Sequence, residues 1–398
     1  MTTPDKQVWN FGAGPSVLPR AVLEQAQAEM LDYQGTGMSI IELSHRTPEF
    51  QALQDRLEAD FRRLLSVPDN YRVIFVQGGA STQFSGVVYN LLASRRAQQL
   101  PRADGAATPV VDYLVTGGWS SKAAEEARKL GADVNLVVDS KKTLGAYRGV
   151  PDASEWRLSG ERAAYVYYCA NETVDGVEMR VPPQVHPDVP IVCDMSSDIM
   201  SYPVDVSRFG VIYAGVQKNM GAAGLTVVII RDDLLERTPA ADATTNTSPR
   251  FPSTYIPLML DWTVHVKNGS LYNTPPMFSN YITALYCAHT LAEGGVTEME
   301  RRAVEKSTLI YDAIAASSGF YRCPVDEPYR SRMNIPFRLR EEALEKLFLQ
   351  GAEARHMRQL KGHRSVGGIR ASVYNALPVE AVHALVAYMH EFRQEHQQ

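Results

Sequence analysis

The chain has 398 residues, 45% of them hydrophobic, and a net charge of -5. That length exceeds what one hydrophobic core usually supports, so two domains are expected. The negative charge argues against a general binder of nucleic acid or of anionic membranes, which needs a basic surface, and any anion recognised here must be met by a local pocket.

The N-terminus, "MTTPDKQVWNFGAGPSVLPR", has no apolar core of a signal peptide. No window reaches the run of about 18 uncharged apolar residues that a membrane span requires. A soluble, cytoplasmic protein is the expectation. Cys169, Cys193, Cys287 and Cys323 are scattered, with no CxxC pair and no cysteine–histidine spacing suited to zinc. Reduced thiols and no metal follow.

From residue 71 an apolar β-rich run, a small-residue turn and a helical period repeat. "YRVIFV" (71–76) leads through "QGGAST" (77–82) into "QFSGVVYNLLASRR" (83–96). "VDYLVT" (111–116) leads through "GGWS" into "SKAAEEARKLG" (121–131). Further apolar runs at 132–138, 162–170, 189–195, 211–217 and 224–231 are nearly continuous, as strands covered on both faces are. An α/β fold follows, with a mostly parallel sheet flanked by helices in a large domain over 15–290. Residues 237–256, "RTPAADATTNTSPRFPSTYI", lack periodicity and read as a surface loop. Beyond 290 the pattern changes to a strand candidate at "RMNIPFRL" (332–339) and helices at 341–354 and 378–394. That is a smaller C-terminal α+β domain over 291–398, joined by residues 1–14.

Lys218 is alone among the uncharged residues of "VIYAGVQKNMGAAGL" (211–225) and follows an apolar run. It therefore sits at the carboxyl end of a strand, the edge where ligands of open α/β sheets bind. Partial desolvation lowers a lysine's pKa and frees its amine as a nucleophile. A lysine that merely reaches out of a strand end is the plain alternative. Asp194 ends the preceding strand in "VPIVCDMSSD", where an acid can hold a pyridinium nitrogen protonated, or simply cap a short helix. Asp198 and Asp205 are weaker candidates for the same place. The turn at 77–82 offers backbone N–H groups and the hydroxyls of Ser81 and Thr82 to a phosphate, without a dinucleotide fingerprint or a P-loop. Trp119 follows the next strand, where an indole can stack on a flat heterocycle or pack in the core. Thr173, in "CANETVDG" (169–176), can donate to a ring substituent. Two basic groups lie in loops: His45 with Arg46, and His363 with Arg364 and Arg370 in "GHRSVGGIR". Arginine's planar fork suits carboxylate and phosphate, although solvated surface charges are the plain alternative.

The segments "NFGAGPSVLP", "SIIELSHRTPEF", "QGGASTQF", "YCANETVDGV", "DMSSDIMSYPVDVSRFGVIYAGVQKNMGAAGLTVVIIRDDLL", "YNTPPMF" and "LKGHRSVGGIRASVYNALP" resemble the phosphoserine aminotransferase family. These are fold-type I pyridoxal-phosphate enzymes of the class V aminotransferase group, and the resemblance spans essentially the whole chain. It implies pyridoxal 5'-phosphate as cofactor, with Lys218 bonded to its aldehyde and Asp194 paired with the ring nitrogen. Trp119 would stack on the ring, Thr173 would contact its phenolic oxygen, and Ala80, Ser81 and Gln217 would bind its phosphate. Asn273 and Thr274 would reach the phosphate of a neighbouring subunit, which implies a homodimer with shared sites. Arg46 would bind the substrate carboxylate, and His45, His363 and Arg364 the substrate phosphate, with Arg370 beside them. Some members carry an arginine where this chain has Ser81, so the phosphate contacts here differ from theirs.

The implied reaction moves an amino group reversibly between glutamate and 3-phosphohydroxypyruvate, giving O-phospho-L-serine and 2-oxoglutarate in serine biosynthesis. The one-carbon-longer 3-hydroxy-2-oxo-4-phosphobutanoate of pyridoxine biosynthesis is implied as a second substrate. Two readings compete with it. One is another class V transaminase of an alanine- or serine-glyoxylate type. The other is a non-catalytic nucleotide-binding α/β protein that uses the 77–82 turn.

Overall fold

A computed structural model describes residues 7–100, 108–237 and 256–397. Most of the loop expected at 237–256 therefore lies outside the described residues. The chain begins with β1 (Trp9–Asn10), α1 (Arg20–Ala28) and α2 (Pro48–Leu65). The start of α2 is written locally. Pro48 occupies the first turn, Glu49 favours the positive helix end, and the Thr47 hydroxyl accepts from Phe50 N at 3.4 Å. Arg62 and Arg63 sit in the last turn, and Ser66 ends the helix in the left-handed region.

The strand–helix repeat follows. β2 (Tyr71–Gln77) turns into α3 (Gly79–Leu92) and the short α4 (Arg95–Gln99). β3 (Val110–Val115) turns into α5 (Gly118–Lys129), and β4 (Asp133–Asp139) into α6 (Ser140–Leu144). β5 (Val166–Cys169) is followed by a small hairpin of β6 (Asn171–Glu172) and β7 (Val177–Glu178). Then come β8 (Ile191–Asp194), β9 (Val211–Gly215) and β10 (Leu225–Arg231). These strands build a seven-stranded sheet of order β2-β10-β9-β8-β5-β3-β4. Only β10 is antiparallel to its neighbours, so β2 and the other five strands run in one direction. The inner strands are buried along their whole length on both faces, which accounts for their unbroken apolar sequence.

The helices α7 (Trp262–Lys267), α8 (Met277–Ala292) and α9 (Gly295–Ala315) follow. The rest of the chain forms β11 (Tyr321–Arg322), β12 (Asn334–Leu339), α10 (Glu342–Ala354), β13 (Met357–Arg358), β14 (Ile369–Ser372) and α11 (Val379–His396). β11, β12 and β14 make a separate antiparallel sheet, and β1 pairs with β13. A distinct apolar cluster holds this part together. It includes Phe320, Phe337, Phe348 and Phe392 with Phe11 from the start of the chain.

A buried polar chain joins the two parts. Asn171 Nδ2 donates to Ser197 Oγ and to Asn334 Oδ1 at 2.9 and 2.8 Å. Asn334 Nδ2 in turn reaches Ser372 Oγ at 2.9 Å and Tyr374 Oη at 3.1 Å, and the tyrosine donates to the Ala13 carbonyl at 2.9 Å. Among the described residues, no helix is long and apolar enough to cross a membrane.

Candidate active site

Because six strands of the main sheet point the same way, their carboxyl ends share one edge, and a cavity of ≈ 390 Å³ opens there. Each strand end delivers one part. β2 supplies Gly78, Gly79, Ala80 and Ser81, β3 supplies Trp119, and β5 supplies Cys169 with Asn171 and Thr173. β8 ends on Asp194 and β9 leads to Gln217 and Lys218. His363 and Arg370 close the cavity from the C-terminal part. A larger groove of ≈ 890 Å³ between residues 7–24 and 375–380 contains none of the strand-end residues.

Lys218 directs its amine into this cavity. Nζ donates to Thr173 Oγ1 at 2.7 Å and stands 5.3 Å from the centre of the Trp119 ring. Burial pushes its pKa below the ordinary lysine value, opposed by the negative charge of Asp194 and more weakly by Cys169 and Glu172. The loop from the start of the chain holds the lysine's backbone. Ser16 N donates to the Gln217 carbonyl at 3.0 Å, and the Ser16 hydroxyl donates to the Lys218 carbonyl. A Cβ on Gly14, whose φ is +131°, would lie 3.0 Å from Lys218 Cγ.

Asp194 is buried with one oxygen committed. Oδ1 accepts from Ser196 N at 2.9 Å and Ser196 Oγ at 2.6 Å, while Oδ2 has no hydrogen-bond partner among the described residues. Asp198 is also buried, but it accepts from Tyr202 Oη at 3.3 Å and does not line the cavity; burial, Glu178 and Asp194 hold its carboxyl well above the ordinary range. Asp205 is exposed and caps Ser207 N at 3.1 Å. Of the three acids, geometry brings only Asp194 to the cavity.

The residues fit a flat, phosphorylated heterocycle. Asp194 Oδ2 is an acceptor in search of a charged N–H, and the buried Trp119 Nε1 has no partner. No side chain caps the start of α3, whose backbone N–H groups follow Gly78 and Gly79 at φ +105° and +70°. A Cβ on Gly215 would lie 2.8 Å from Gln217 Oε1 and 3.5 Å from Ala80 N. The Gln217 amide and the first turn of α3 thus surround one point, a cradle for an anion. Among the described residues, no group of three or more His, Cys, Asp and Glu side chains is placed to hold a metal ion.

Nine of the residues singled out in the sequence line this one cavity: Ala80, Ser81, Trp119, Thr173, Asp194, Gln217, Lys218, His363 and Arg370. Arg370 Nη1 donates to the Thr173 carbonyl at 3.1 Å, and burial lowers its pKa. Burial and the nearby Arg370, Lys122 and Arg364 charges lower that of His363. Besides Asp198 and Asp205, six singled-out residues lie outside the cavity of their own chain, among them Thr82, whose hydroxyl donates to the Gly78 carbonyl at 2.7 Å. Arg46 and Arg364 are exposed, and His45 is buried with Nε2 unpartnered. Asn273 and Thr274 lie in the loop before α8, where the Thr274 carbonyl accepts from Gln77 Nε2 at 2.8 Å. Gly14, Cys169, Asn171 and Ser197 line the cavity without having been singled out. "NFGAGPS" carried the one usable signal for Gly14, since nothing local brings it to residue 218.

The family model described as aminotransferase class-V matches residues 8–385. The chain is 48% identical over 389 residues to the phosphoserine aminotransferase of Laribacter hongkongensis, covering 98% of this chain and 99% of that one. The solved structure of phosphoserine aminotransferase from Bacillus circulans subsp. alkalophilus superposes with a TM-score of 0.87 at 42% identity, covering 98% of this chain and 99% of that one. Pyridoxal-phosphate-bound phosphoserine aminotransferase from Trichomonas vaginalis matches with a TM-score of 0.84 at 37% identity, over 96% of this chain and 100% of that one. With its strand-end lysine and aspartate in one cavity, this chain belongs to the class V, pyridoxal-phosphate-dependent aminotransferases, within their phosphoserine aminotransferase family.

Proposed function

We propose that the chain transfers the amino group between glutamate and 3-phosphohydroxypyruvate, yielding O-phospho-L-serine and 2-oxoglutarate. The single observation that carries this reading is the convergence of the Lys218 amine, the half-free Asp194 carboxylate and the cationic Arg370 on one cavity. When bound, pyridoxal phosphate supplies an aldehyde that takes up amines and a ring that accepts electrons from the substrate Cα.

The side chains divide the remaining work. With the cofactor bound, the Lys218 amine, whose pKa burial lowers, would take the Cα proton and return it on the far side of the amino nitrogen. Asp194 Oδ2 would hold the proton on the ring nitrogen. Trp119 would cover one face of the ring and exclude water, and Thr173, bonded to Lys218, would contact the phenolic oxygen. Ala80, Ser81 and Gln217 would bind the cofactor phosphate, together with Asn273 and Thr274 of the partner subunit. Arg46 would take the substrate carboxylate, and the guanidinium groups of Arg364 and Arg370, with the ring nitrogens of His45 and His363, would surround the substrate phosphate.

The same reading makes the protein a cytoplasmic homodimer. Leu31, Met38 and Ile41 are 85%, 44% and 57% exposed on the segment that leads to Arg46, apolar surface that a second subunit would cover. The division into a large domain at 15–290 and a small one at 291–398 with 1–14 belongs to it as well, supported by the separate apolar cluster around Phe348. A pocket that takes 3-phosphohydroxypyruvate should also accept 3-hydroxy-2-oxo-4-phosphobutanoate, since one added carbon unit is worth only about 1–3 kcal/mol of discrimination.

The test follows the cofactor's absorbance while phosphoserine or alanine is added to the holoenzyme. Conversion is expected to be faster with phosphoserine. Faster conversion with alanine would reassign the substrate to a glyoxylate-type transaminase, and a colourless protein inert to both would favour the nucleotide-binding alternative.

A further inference from the structure

Glu172 is fully buried at the end of β6 and does not line the cavity, yet its carboxylate touches the residues that do. Oε2 accepts from Trp119 N at 2.9 Å, and Oε1 from Ser120 N at 2.9 Å and Ser120 Oγ at 2.5 Å. Asp175 Oδ2 accepts from Gly118 N at 2.9 Å. Two carboxylates of one turn thus satisfy the first N–H groups of α5, where the dipole favours negative charge. The contact is close enough to require glycine: a Cβ on Gly117 would lie 2.4 Å from Glu172 Cγ and Cδ.

Thr173, one of the two residues between these acids, bonds to the cavity side instead. Thr173 Oγ1 accepts from Lys218 Nζ, and its carbonyl accepts from Arg370 Nη1. Segment 172–175 therefore grips the Trp119 helix on one side and the lysine on the other. Capping alone does not call for a buried acid, because a helix start is ordinarily capped by a neutral or solvated side chain without desolvating a charge. Burial and Asp175 push the Glu172 carboxyl up to about 7, so the charged cap is held at a cost in stability.

We propose that Glu172, assisted by Asp175, is a positioning residue for the reaction: it fixes the Trp119 indole over the cavity in register with Thr173 and Lys218. This rests on the reading that Trp119 covers the cofactor ring. Glu172→Gln keeps the volume but turns an amide donor toward a backbone donor. Two quantities are measured for it, the dissociation constant of pyridoxal phosphate and the acrylamide quenching of Trp119 fluorescence in the cofactor-free chain, taken as the difference from Trp119→Phe. Cofactor binding is expected to weaken about 10- to 100-fold, the range seen when a group that orients a ligand-holding residue is lost. Quenching should change as well, and the double variant should bind no more weakly than Trp119→Phe alone. Wild-type affinity and quenching in Glu172→Gln, or a loss that adds in full to that of Trp119→Phe, would overturn the proposal. Wild-type affinity in Trp119→Phe would instead overturn the role given to the indole. Should Glu172→Gln fail to fold, Asp175→Asn, which keeps the Glu172 bonds while weakening the one to Gly118 and removing a charge beside Glu172 and Arg370, must show the same non-additivity, and full additivity there overturns the proposal.

Discussion

Lys218 has to satisfy two opposed demands, since an amine that acts as a base must be neutral while one that reaches a carbonyl must stay mobile. Burial works toward the first by lowering its pKa, and the side-chain bond to Thr173 serves the second by orienting it without a permanent ion pair. Lys218→Ala should fold with unchanged far-ultraviolet ellipticity and lose at least about 10²–10⁴-fold in turnover, the usual worth of a positioned acid–base group. Near-normal transamination by that variant would remove the lysine from the mechanism. Asp194 shows the limit of reading single residues. Three acids lie at or after the end of the same strand, and only the hydrogen bonds separate one with a free oxygen at the cavity from one buried behind it and one capping a turn at the surface.

Among the elements, the strands of the main sheet were readable because burial on both faces leaves uninterrupted apolar runs. The helix after β2 was less so. Its small residues read as a turn to 82, whereas α3 already begins at Gly79, because packing against the sheet overrides the weak local propensity of "GAST". Ala80 and Ser81 thereby become first-turn residues with N–H groups free for an anion. The β6–β7 hairpin, with two residues per strand, is too short to leave any period in the sequence. Its fit is nonetheless exacting: Gly176 has φ +76°, and a Cβ there would lie 2.3 Å from Pro336 Cδ of β12. Gly176→Ala should destabilise the protein by about 1–3 kcal/mol through overpacking alone. An unchanged thermal midpoint would show that the hairpin and β12 do not press together as described.

At the scale of the whole molecule, the residues left outside the cavity become informative. Asn273, Thr274 and Arg46 carry chemistry suited to the ligand and do not reach the cavity of their own chain, which a second subunit would explain. Mixing inactive Lys218→Ala with an impaired Asn273→Ala/Thr274→Ala double variant, under conditions that exchange subunits, should restore roughly a quarter of wild-type activity. Half of randomly paired dimers are mixed, and each of those has one intact site. No recovery on mixing would place these two side chains in their own chain's site.

The sequence alone determined the alternation of strands and helices, the position of Lys218, Asp194, Trp119 and Thr173 at strand ends, and the resemblance that named their chemistry. Those features depend on periodicity and on covalent neighbours, which a linear reading contains. Only the tertiary structure decided which groups meet. The Ser16 hydroxyl and the Lys218 carbonyl, the Gln77 side chain and the Thr274 carbonyl, and Arg370 and Thr173 are each close to 200 residues apart in the chain. Such contacts exist because the buried sheet and the second apolar cluster offset the entropy of closing those long loops, a balance struck by the whole chain and written in no local stretch of it.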